Sequence, residues 1–168
     1  MRHFRLILLL IAALGLAACG GKDSKFQTYR GPKVTAVEVH KSERRMYLLH
    51  DTTVLKAYDI GLGFSPEGHK KYEGDGKTPE GRYFISHRNP NSRYHLSLGV
   101  SYPNPYDRAL AEGEGKDPGG DIMIHGAPPK GKKVVNRDWT AGCIAVTDEE
   151  MERIYSMVDP GTPINIFP

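Results

Sequence analysis

A histidine and a cysteine in the segment from residue 121 to 146 have the types and surroundings that nucleophilic catalysis requires. His125 follows the apolar run Ile122–Ile124, which is typical of a short buried strand, so the strand end fixes the position of the imidazole. Cys143 follows Gly142, where a turn can bring backbone amides close to a developing oxyanion. A neighbouring histidine can lower the pKa of a thiol and relay protons. The pair predicts a thiolate nucleophile at Cys143 with His125 as its base.

The same two residues also allow a structural interpretation. A lone cysteine is often a small buried apolar residue, and a lone histidine is often a polar turn residue with its hydrogen bonds satisfied. Cys143, however, lies among Thr140, Ala141 and Gly142 after a polar loop that contains two prolines and three lysines. From the residue types alone, both interpretations stay open.

The order of residues around this pair carries a resemblance. His125, a spacer at 126–139 and the run Thr140 to Cys143 match the pattern His, spacer, Ser or Thr, any residue, Gly, Cys. This pattern resembles the YkuD-type L,D-transpeptidases. The similarity extends to the KTPEGRY run at 77–83 and the GTPI run at 161–164, and it covers the chain from about Val34 onward. The chain most resembles the murein-active branch of this family, whose members have a Trp-Thr-x-Gly-Cys-Ile-Ala motif.

This resemblance implies an activity and a set of site residues. Cys143 would attack the L-centre carbonyl of a diamino acid in a peptidoglycan stem peptide, and the terminal D-residue would leave. The product would be a thioester that an amine then resolves, and a carbapenem would acylate the same thiol. His125 would serve as acid and base, and amides near Gly142 and Cys143 would bind the oxyanion, with support from Thr140 and Gly126. Stem peptides, and a wall-linked lipoprotein as a second option, are the implied partners.

Two departures from the family pattern concern the substrate. Many members have His where this chain has Ala141, and Arg where it has Ala145, so the usual carboxylate clamp is missing. Arg137 is a candidate replacement from the loop, and Trp139 is a candidate cover that keeps water from the thioester. Transfer to an amine is therefore the first hypothesis, and hydrolysis by an L,D-amidase or carboxypeptidase is the alternative.

Two other classes of protein are alternatives. A sortase also joins peptides to the cell wall, but by resemblance its cysteine lies farther downstream and precedes an essential arginine on a strand, whereas Arg153 falls in a predicted helix. A non-catalytic wall-binding lipoprotein is the other alternative. It predicts that Cys143 is unreactive.

The N-terminus has the pattern of a lipoprotein signal. Residues 1–18 combine basic residues with a short apolar run and end in Leu-Ala-Ala before Cys19. We expect Cys19 to carry lipid and residues 19–33 to form a tether, with a catalytic domain at 34–168; a plain cleaved signal is the alternative. Because Gly20 follows Cys19, resemblance to bacterial lipoproteins implies a periplasmic protein anchored at the inner leaflet of the outer membrane.

Length and charge exclude several classes. Removal of the signal leaves about 150 residues, enough for one domain. Arg2 and Arg5 leave with the signal, so the formal net charge of +3 falls to about +1, which argues against a nucleic-acid partner. With Cys19 acylated, a cysteine-based zinc site lacks ligands, and the remaining histidines lack metal-binding spacing. No metal and no cofactor is expected.

The chain also predicts the elements that position the pair. Period-2 alternation indicates antiparallel strands near 37–39, 46–49 and 54–60, and a further strand is expected at 82–87. Thr147 and Glu150 form a predicted capping box for a helix that ends near Val158, and 162–167 is a last strand. Segment 64–81 is expected as a long exposed loop and 101–120 as a flap or a disordered insertion. The predicted fold is mainly β (α+β), a YkuD-like sandwich or barrel-like sheet with one C-terminal amphipathic helix.

Overall fold

The fold is mainly β, as the sequence predicts, in the computed structural model, which describes residues 24–168. The strands are β1 (Ala36–His40), β2 (Arg45–His50), β3 (Thr53–Asp59), β4 (Gly81–Asn89), β5 (Ser97–Val100), β6 (Met123–His125), β7 (Ile144–Ala145) and β8 (Pro163–Phe167). The helices are α1 (Pro105–Gly113) and α2 (Asp148–Met157). No helix within residues 24–168 is long and apolar enough to cross a membrane.

All the strands belong to one eight-stranded sheet with the order β3-β2-β1-β8-β4-β5-β6-β7. The antiparallel pairing predicted for the first three strands is confirmed, because β1 pairs with β2 and β2 with β3 in that sense. The sheet as a whole is mixed, since β1 runs parallel to β8 and β6 runs parallel to β7. The C-terminal strand therefore lies in the middle of the sheet, between β1 and β4.

The sheet curls until its two ends meet. The chain that leaves β3 forms isolated bridges with the far edge, at Gly61 with Ala145 and at Gly63 with Thr140. The Gly61 and Ala145 amides exchange hydrogen bonds of 2.9 and 2.8 Å with each other's carbonyls. The result is the predicted barrel-like sheet, and its seam runs directly beside the loop that carries Cys143.

Helix α2 packs against this sheet as its sequence predicts. Met151, Ile154 and Tyr155 are buried on one face of the helix. Thr147 accepts from the Glu150 amide and the Glu150 carboxylate accepts from the Thr147 amide, so the predicted capping box is present. Burial of the apolar face fixes the start of α2, which follows β7 by only two residues.

Segment 101–120, expected as a flap or a disordered insertion, contains helix α1 in addition to the predicted C-terminal helix. Pro105 opens the helix, and Asn104 forms a capping box with Asp107. Only Asp107 and Ala111 are buried along α1. The helix therefore lacks the apolar periodicity that reveals a helix in a sequence. Its capping box and Pro105 mark its start instead.

The predicted exposed loop at 64–81 is held down by charged groups. Lys70 and Asp75 form a buried ion pair of 3.0 Å, and Asp75 also accepts from the Lys71 and Lys77 amides. Lys41 reaches into the loop and donates to the Glu80 carboxylate at 2.8 Å. Burial lowers the pKa of Lys41. These contacts make the loop an ordered layer behind the cysteine.

The predicted tether lies only partly within the described residues. Residues 1–18 and Cys19 fall outside them. From Ser24 onward, the chain follows the domain surface: Lys25 donates to the Pro90 carbonyl at 2.7 Å, and the Phe26 ring approaches that of Tyr155. Residues 24–33 are thus not a free spacer, because side-chain contacts hold several of them against the domain.

Candidate active site

Two neighbouring strands bring His125 and Cys143 together. His125 is the last residue of β6, as predicted, and Cys143 directly precedes β7. The strands pair in parallel, with Ile124 opposite Ile144 and His125 opposite Ala145. Because Cys143 lies two residues before Ala145, and side chains two residues apart in a strand point to the same face, this register places the imidazole and the thiol on the same face of the sheet.

The His125 ring has a fixed orientation. Its Nδ1 donates to the Gly126 carbonyl at 2.8 Å, which requires the proton on Nδ1 and leaves Nε2 as the acceptor of the neutral ring. Tyr94 stacks on the imidazole with centroids 4.4 Å apart, and Trp139 meets it edge-on at 5.5 Å. The residue is only 3% exposed, and this burial lowers its pKa, against the opposing effect of the Gly126 carbonyl.

The thiol is directed at the backbone. Cys143 Sγ donates to the Asp121 carbonyl at 3.4 Å. Burial raises the pKa of Cys143, and the Met123 amide partly offsets that rise. The expectation of a lowered thiol pKa is therefore wrong for this resting arrangement, because removal from water disfavours the thiolate more than the nearby amide favours it.

Thiol and imidazole share their surroundings without a direct hydrogen bond. Within residues 24–168, the thiol of Cys143 bonds to the Asp121 carbonyl, and the imidazole bonds through Nδ1 to Gly126. The raised thiol pKa and the lowered imidazole pKa both favour a neutral pair. The resting pair is therefore neutral, with Nε2 of His125 unprotonated.

A tight turn holds the backbone at Cys143. Thr140 Oγ1 accepts from the Gly142 amide at 3.1 Å and donates to the Cys143 carbonyl at 2.7 Å. Gly142 has φ of +138°, and a Cβ there would lie 2.7 Å from the Lys77 carbonyl. Both features require glycine at this position. The KTPEG run thus forms the wall against which the cysteine turn is built.

The amides expected to bind an oxyanion differ in their availability. The Gly142 amide is already bonded to Thr140, and the Gly126 amide donates to the Tyr94 carbonyl at 3.0 Å. In the described part of the chain, the Cys143 amide has no hydrogen-bond partner. Gly126 supports the site through its carbonyl instead, and Thr140 supports it through the turn.

The two candidate substrate residues have different surroundings. Trp139 contacts the His125 ring and lines the cavity at the thiol. Arg137 instead donates from Nε to the Ile60 carbonyl at 2.8 Å and from Nη2 to the Arg44 carbonyl at 2.9 Å. It lines a neighbouring groove together with Ala145 and not the cavity at the thiol. The structure therefore brings Trp139 to the pair and leaves Arg137 outside.

Two cavities meet at the pair. The first, lined by residues of the loop at 128–136 and here called the loop-side cavity, has a volume of about 640 Å3. The second, lined by Arg93 and here called the Arg93-side cavity, has a volume of about 390 Å3. Tyr94, His125 and Cys143 line both of them. A substrate can thus approach the thiol from two directions.

Several residues of the candidate site were not predicted from the sequence. Tyr94 comes from the irregular segment before β5, Asp121 contributes only its carbonyl, and Phe64 forms part of the cavity wall. None of them belongs to a spaced motif, so only the folded chain shows their role. As for metals, residues 24–168 contain no group of three or more His, Cys, Asp or Glu side chains arranged to hold an ion.

Comparison with protein families places this chain in a known class. Residues 34–166 match the family model of the YkuD L,D-transpeptidase catalytic domain. The chain therefore belongs to the YkuD family. Among curated proteins, it is similar to YafK of Escherichia coli strain K12, with 29% identity over 197 aligned positions that cover 100% of this chain and 71% of YafK.

Solved structures show the same fold. The helical cell shape determining protein Pgp2 from Campylobacter jejuni is 29% identical with a TM-score of 0.62, over 86% of this chain and 51% of Pgp2. Bd1075 from Bdellovibrio bacteriovorus is 25% identical with a TM-score of 0.56, over 84% of this chain and 51% of Bd1075. An L,D-transpeptidase from Xylanimonas cellulosilytica shares the fold at 15% identity, with a TM-score of 0.52 over 83% of this chain and 63% of that one. The chain spans about half the length of Pgp2 and Bd1075.

Proposed function

We propose that this protein is a periplasmic L,D-transpeptidase that acts on peptidoglycan stem peptides through a thioester on Cys143. The observation that carries the proposal is the pair itself: the thiol and an imidazole with a free Nε2 open into the same cavities. Membership of the L,D-transpeptidase family supports the reaction class. The similarity to Pgp2 supports a role in cell shape.

Acylation follows from the geometry. The Cys143 thiol turns from the Asp121 carbonyl toward Nε2 of His125, which takes its proton as sulfur attacks the stem-peptide carbonyl. A carbon–sulfur bond forms, and the carbon–nitrogen bond to the terminal D-residue breaks. The imidazolium returns the proton to the departing amine. The Cys143 amide, which has no hydrogen-bond partner within residues 24–168, is the donor available for the developing oxyanion.

Deacylation repeats these steps with an incoming amine. Its nitrogen attacks the thioester carbonyl, His125 takes the amine proton, and the Cys143 thiolate leaves and is reprotonated. The acceptor is the amine of a second stem peptide or of a wall-linked lipoprotein. Trp139, which stands against the imidazole, covers the thioester on the loop side and limits the entry of water.

Hydrolysis by an L,D-carboxypeptidase or amidase is the second candidate. The observation in its favour is the engagement of Arg137, whose guanidinium is bonded to backbone carbonyls and to Asp59 and is therefore unavailable as an acceptor clamp. Water would then resolve the same thioester.

Product masses separate the two candidates. The purified protein is incubated with a tetrapeptide muropeptide and a matched sample of Cys143→Ala. Transfer predicts dimers joined between two diamino acids, whereas hydrolysis predicts tripeptide monomers with equimolar free D-amino acid. If neither product forms with the wild-type protein, the proposed function is wrong.

The cellular location is a separate part of the proposal. We propose that Cys19 carries lipid and anchors the domain at the inner leaflet of the outer membrane. Metabolic labelling with a fatty acid should mark the wild type and miss Cys19→Ala. A label that persists in the variant, or a wild type that is unlabelled and free in the periplasm, contradicts the anchor.

A further inference from the structure

The loop-side cavity contains two lysines that have no role in the mechanism proposed above. Lys132 and Lys133 line it together with the catalytic pair. No ion pair involves either ammonium group among residues 24–168. Asp138 is the one carboxylate that lines this cavity, and Arg44 neutralises it through an ion pair of 2.9 Å. The cavity at the thiol is therefore positively charged.

The loop that carries the two lysines is fixed at its base. Arg137 donates to the Ile60 and Arg44 carbonyls, and Asp138 accepts from the Leu62 amide at 3.0 Å. The lysines thus project from a short anchored segment next to Trp139. Arg137 was predicted to bind substrate. In the structure it anchors the loop whose lysines can bind the substrate instead.

The proposed reaction places an anion close to the thiol. In a terminal D-residue, the free carboxylate carbon lies about 2.5 Å from the amide nitrogen that leaves, because only the Cα separates them. When the thiol attacks the adjoining carbonyl, this carboxylate must lie in a cavity that also contains Sγ. The neighbouring groove lined by Ala145 and Arg137 is not such a cavity.

We propose that Lys132 and Lys133 form the carboxylate-binding site of this protein and hold the leaving D-residue of the stem peptide. This inference rests on the proposed function and specifies how its substrate is recognised. The lysines supply from the loop the positive charge that Ala145 does not supply from the strand. Two mobile point charges hold a carboxylate less rigidly than one bidentate arginine does.

Alkylation of Cys143 measures this charge without any turnover. Iodoacetate and iodoacetamide react with the same thiol and differ in charge, so the ratio of their rate constants reports the local potential. In the purified full-length protein, Lys132→Gln with Lys133→Gln should lower the iodoacetate-to-iodoacetamide ratio roughly three- to tenfold at low salt. Any change in the thiolate population alters both rates equally and cancels in the ratio, because both reagents react with the same thiolate.

A double variant with the same loss of charge is the control. Lys56→Gln with Lys130→Gln removes two exposed lysines, one of them from the same loop, that do not line the cavity. It should keep the wild-type ratio. The proposal is overturned if this control lowers the ratio as much as the cavity variant does, or if the cavity variant keeps the wild-type ratio.

Substrate turnover gives the second measurement. A tetrapeptide with a free terminal carboxylate and its terminal amide are compared. The wild type should prefer the free acid, and the cavity variant should lose that preference through a KM about tenfold higher for the acid, with kcat nearly unchanged. A preference retained by the variant overturns the carboxylate site. A wild type that turns over neither peptide overturns the proposed function instead, while the alkylation ratio still decides the charge.

Arg93→Gln tests the other entrance. Arg93 lines the Arg93-side cavity, which also reaches Sγ. We expect it to leave the preference for the free acid at the wild-type level. If Arg93→Gln abolishes this preference and the lysine variant does not, the carboxylate binds on the opposite side of the thiol, and the assignment to Lys132 and Lys133 is wrong.

Discussion

At the scale of single residues, the site holds a thiol and an imidazole that are both neutral and share no direct hydrogen bond. The Gly126 carbonyl fixes the imidazole tautomer, and the Asp121 carbonyl holds the thiol hydrogen. Burial favours the uncharged form of both side chains. An uncharged thiol is a weak nucleophile, so the proposed mechanism requires proton transfer from Cys143 to His125 during attack.

The pH dependence of alkylation tests this neutral resting state. Since the thiol pKa is raised, the thiolate population grows only as the pH rises through a value above the ordinary one. The rate of iodoacetamide alkylation at Cys143 should therefore keep increasing from about pH 7 to above about pH 9. Mass analysis of the peptide that contains Cys143 follows the reaction. A plateau that begins near pH 6 would reveal a preformed thiolate–imidazolium pair and contradict this description.

Thr140 offers a second test at this scale. Thr140→Val removes the hydroxyl between the Gly142 amide and the Cys143 carbonyl and leaves buried polar groups unpaired, at a cost of about 1–3 kcal/mol in the free energy of unfolding. We expect carbapenem acylation to slow roughly ten- to hundredfold as the turn loosens. Thr140→Ser retains the hydroxyl and should remain near wild type. Equal rates in the Val and Ser variants would show that the hydroxyl does not hold the turn.

Sequence motifs predicted the two reactive residues of this candidate site, but not the residues that surround them. His125 and Cys143 have family spacing, so residue order is enough to find them. Tyr94 and the Asp121 carbonyl act through position alone. Arg137 illustrates the limit, because its type suited a carboxylate clamp while its contacts make it an anchor for the loop.

At the scale of elements, parallel pairing of β6 with β7 creates the site. Both strands are short, and each has its reactive residue at one end. The strands that alternate in hydrophobicity were predictable, as was α2 with its capping box. Helix α1 was not, since only Asp107 and Ala111 are buried along it.

The cysteine turn depends on the layer formed by the KTPEG run. In Gly142→Ala, the new Cβ would lie 2.7 Å from the Lys77 carbonyl at φ of +138°, so the turn must shift. We expect a loss of about 1–3 kcal/mol in the free energy of unfolding. We also expect a large loss of acylation, because the thiol moves with the turn.

Urea denaturation and carbapenem acylation measure these two effects of Gly142→Ala. Gly120→Ala is the matched control, since a Cβ at that position meets nothing within 4 Å. A Gly142→Ala protein with both the stability and the acylation rate of the Gly120→Ala control would contradict the turn geometry.

At the scale of the whole molecule, closure of the sheet determines where the substrate binds. The bridges of Gly61 with Ala145 and of Gly63 with Thr140 join distant parts of the chain and place two cavities on either side of the thiol. Local sequence patterns do not encode such contacts, so the barrel-like shape was expected from family resemblance and not from periodicity. The chain covers about half of Pgp2.

In the proposed function, Cys143 forms a covalent acyl-enzyme with the help of His125. Intact-mass spectrometry after incubation with a carbapenem measures it most directly. We predict that the wild type gains one drug mass, that Cys143→Ala gains none, and that His125→Ala gains it about a hundred to ten thousand times more slowly. A drug adduct on Cys143→Ala would contradict the assignment of the nucleophile, and an unmodified wild type would contradict the acyl-enzyme itself.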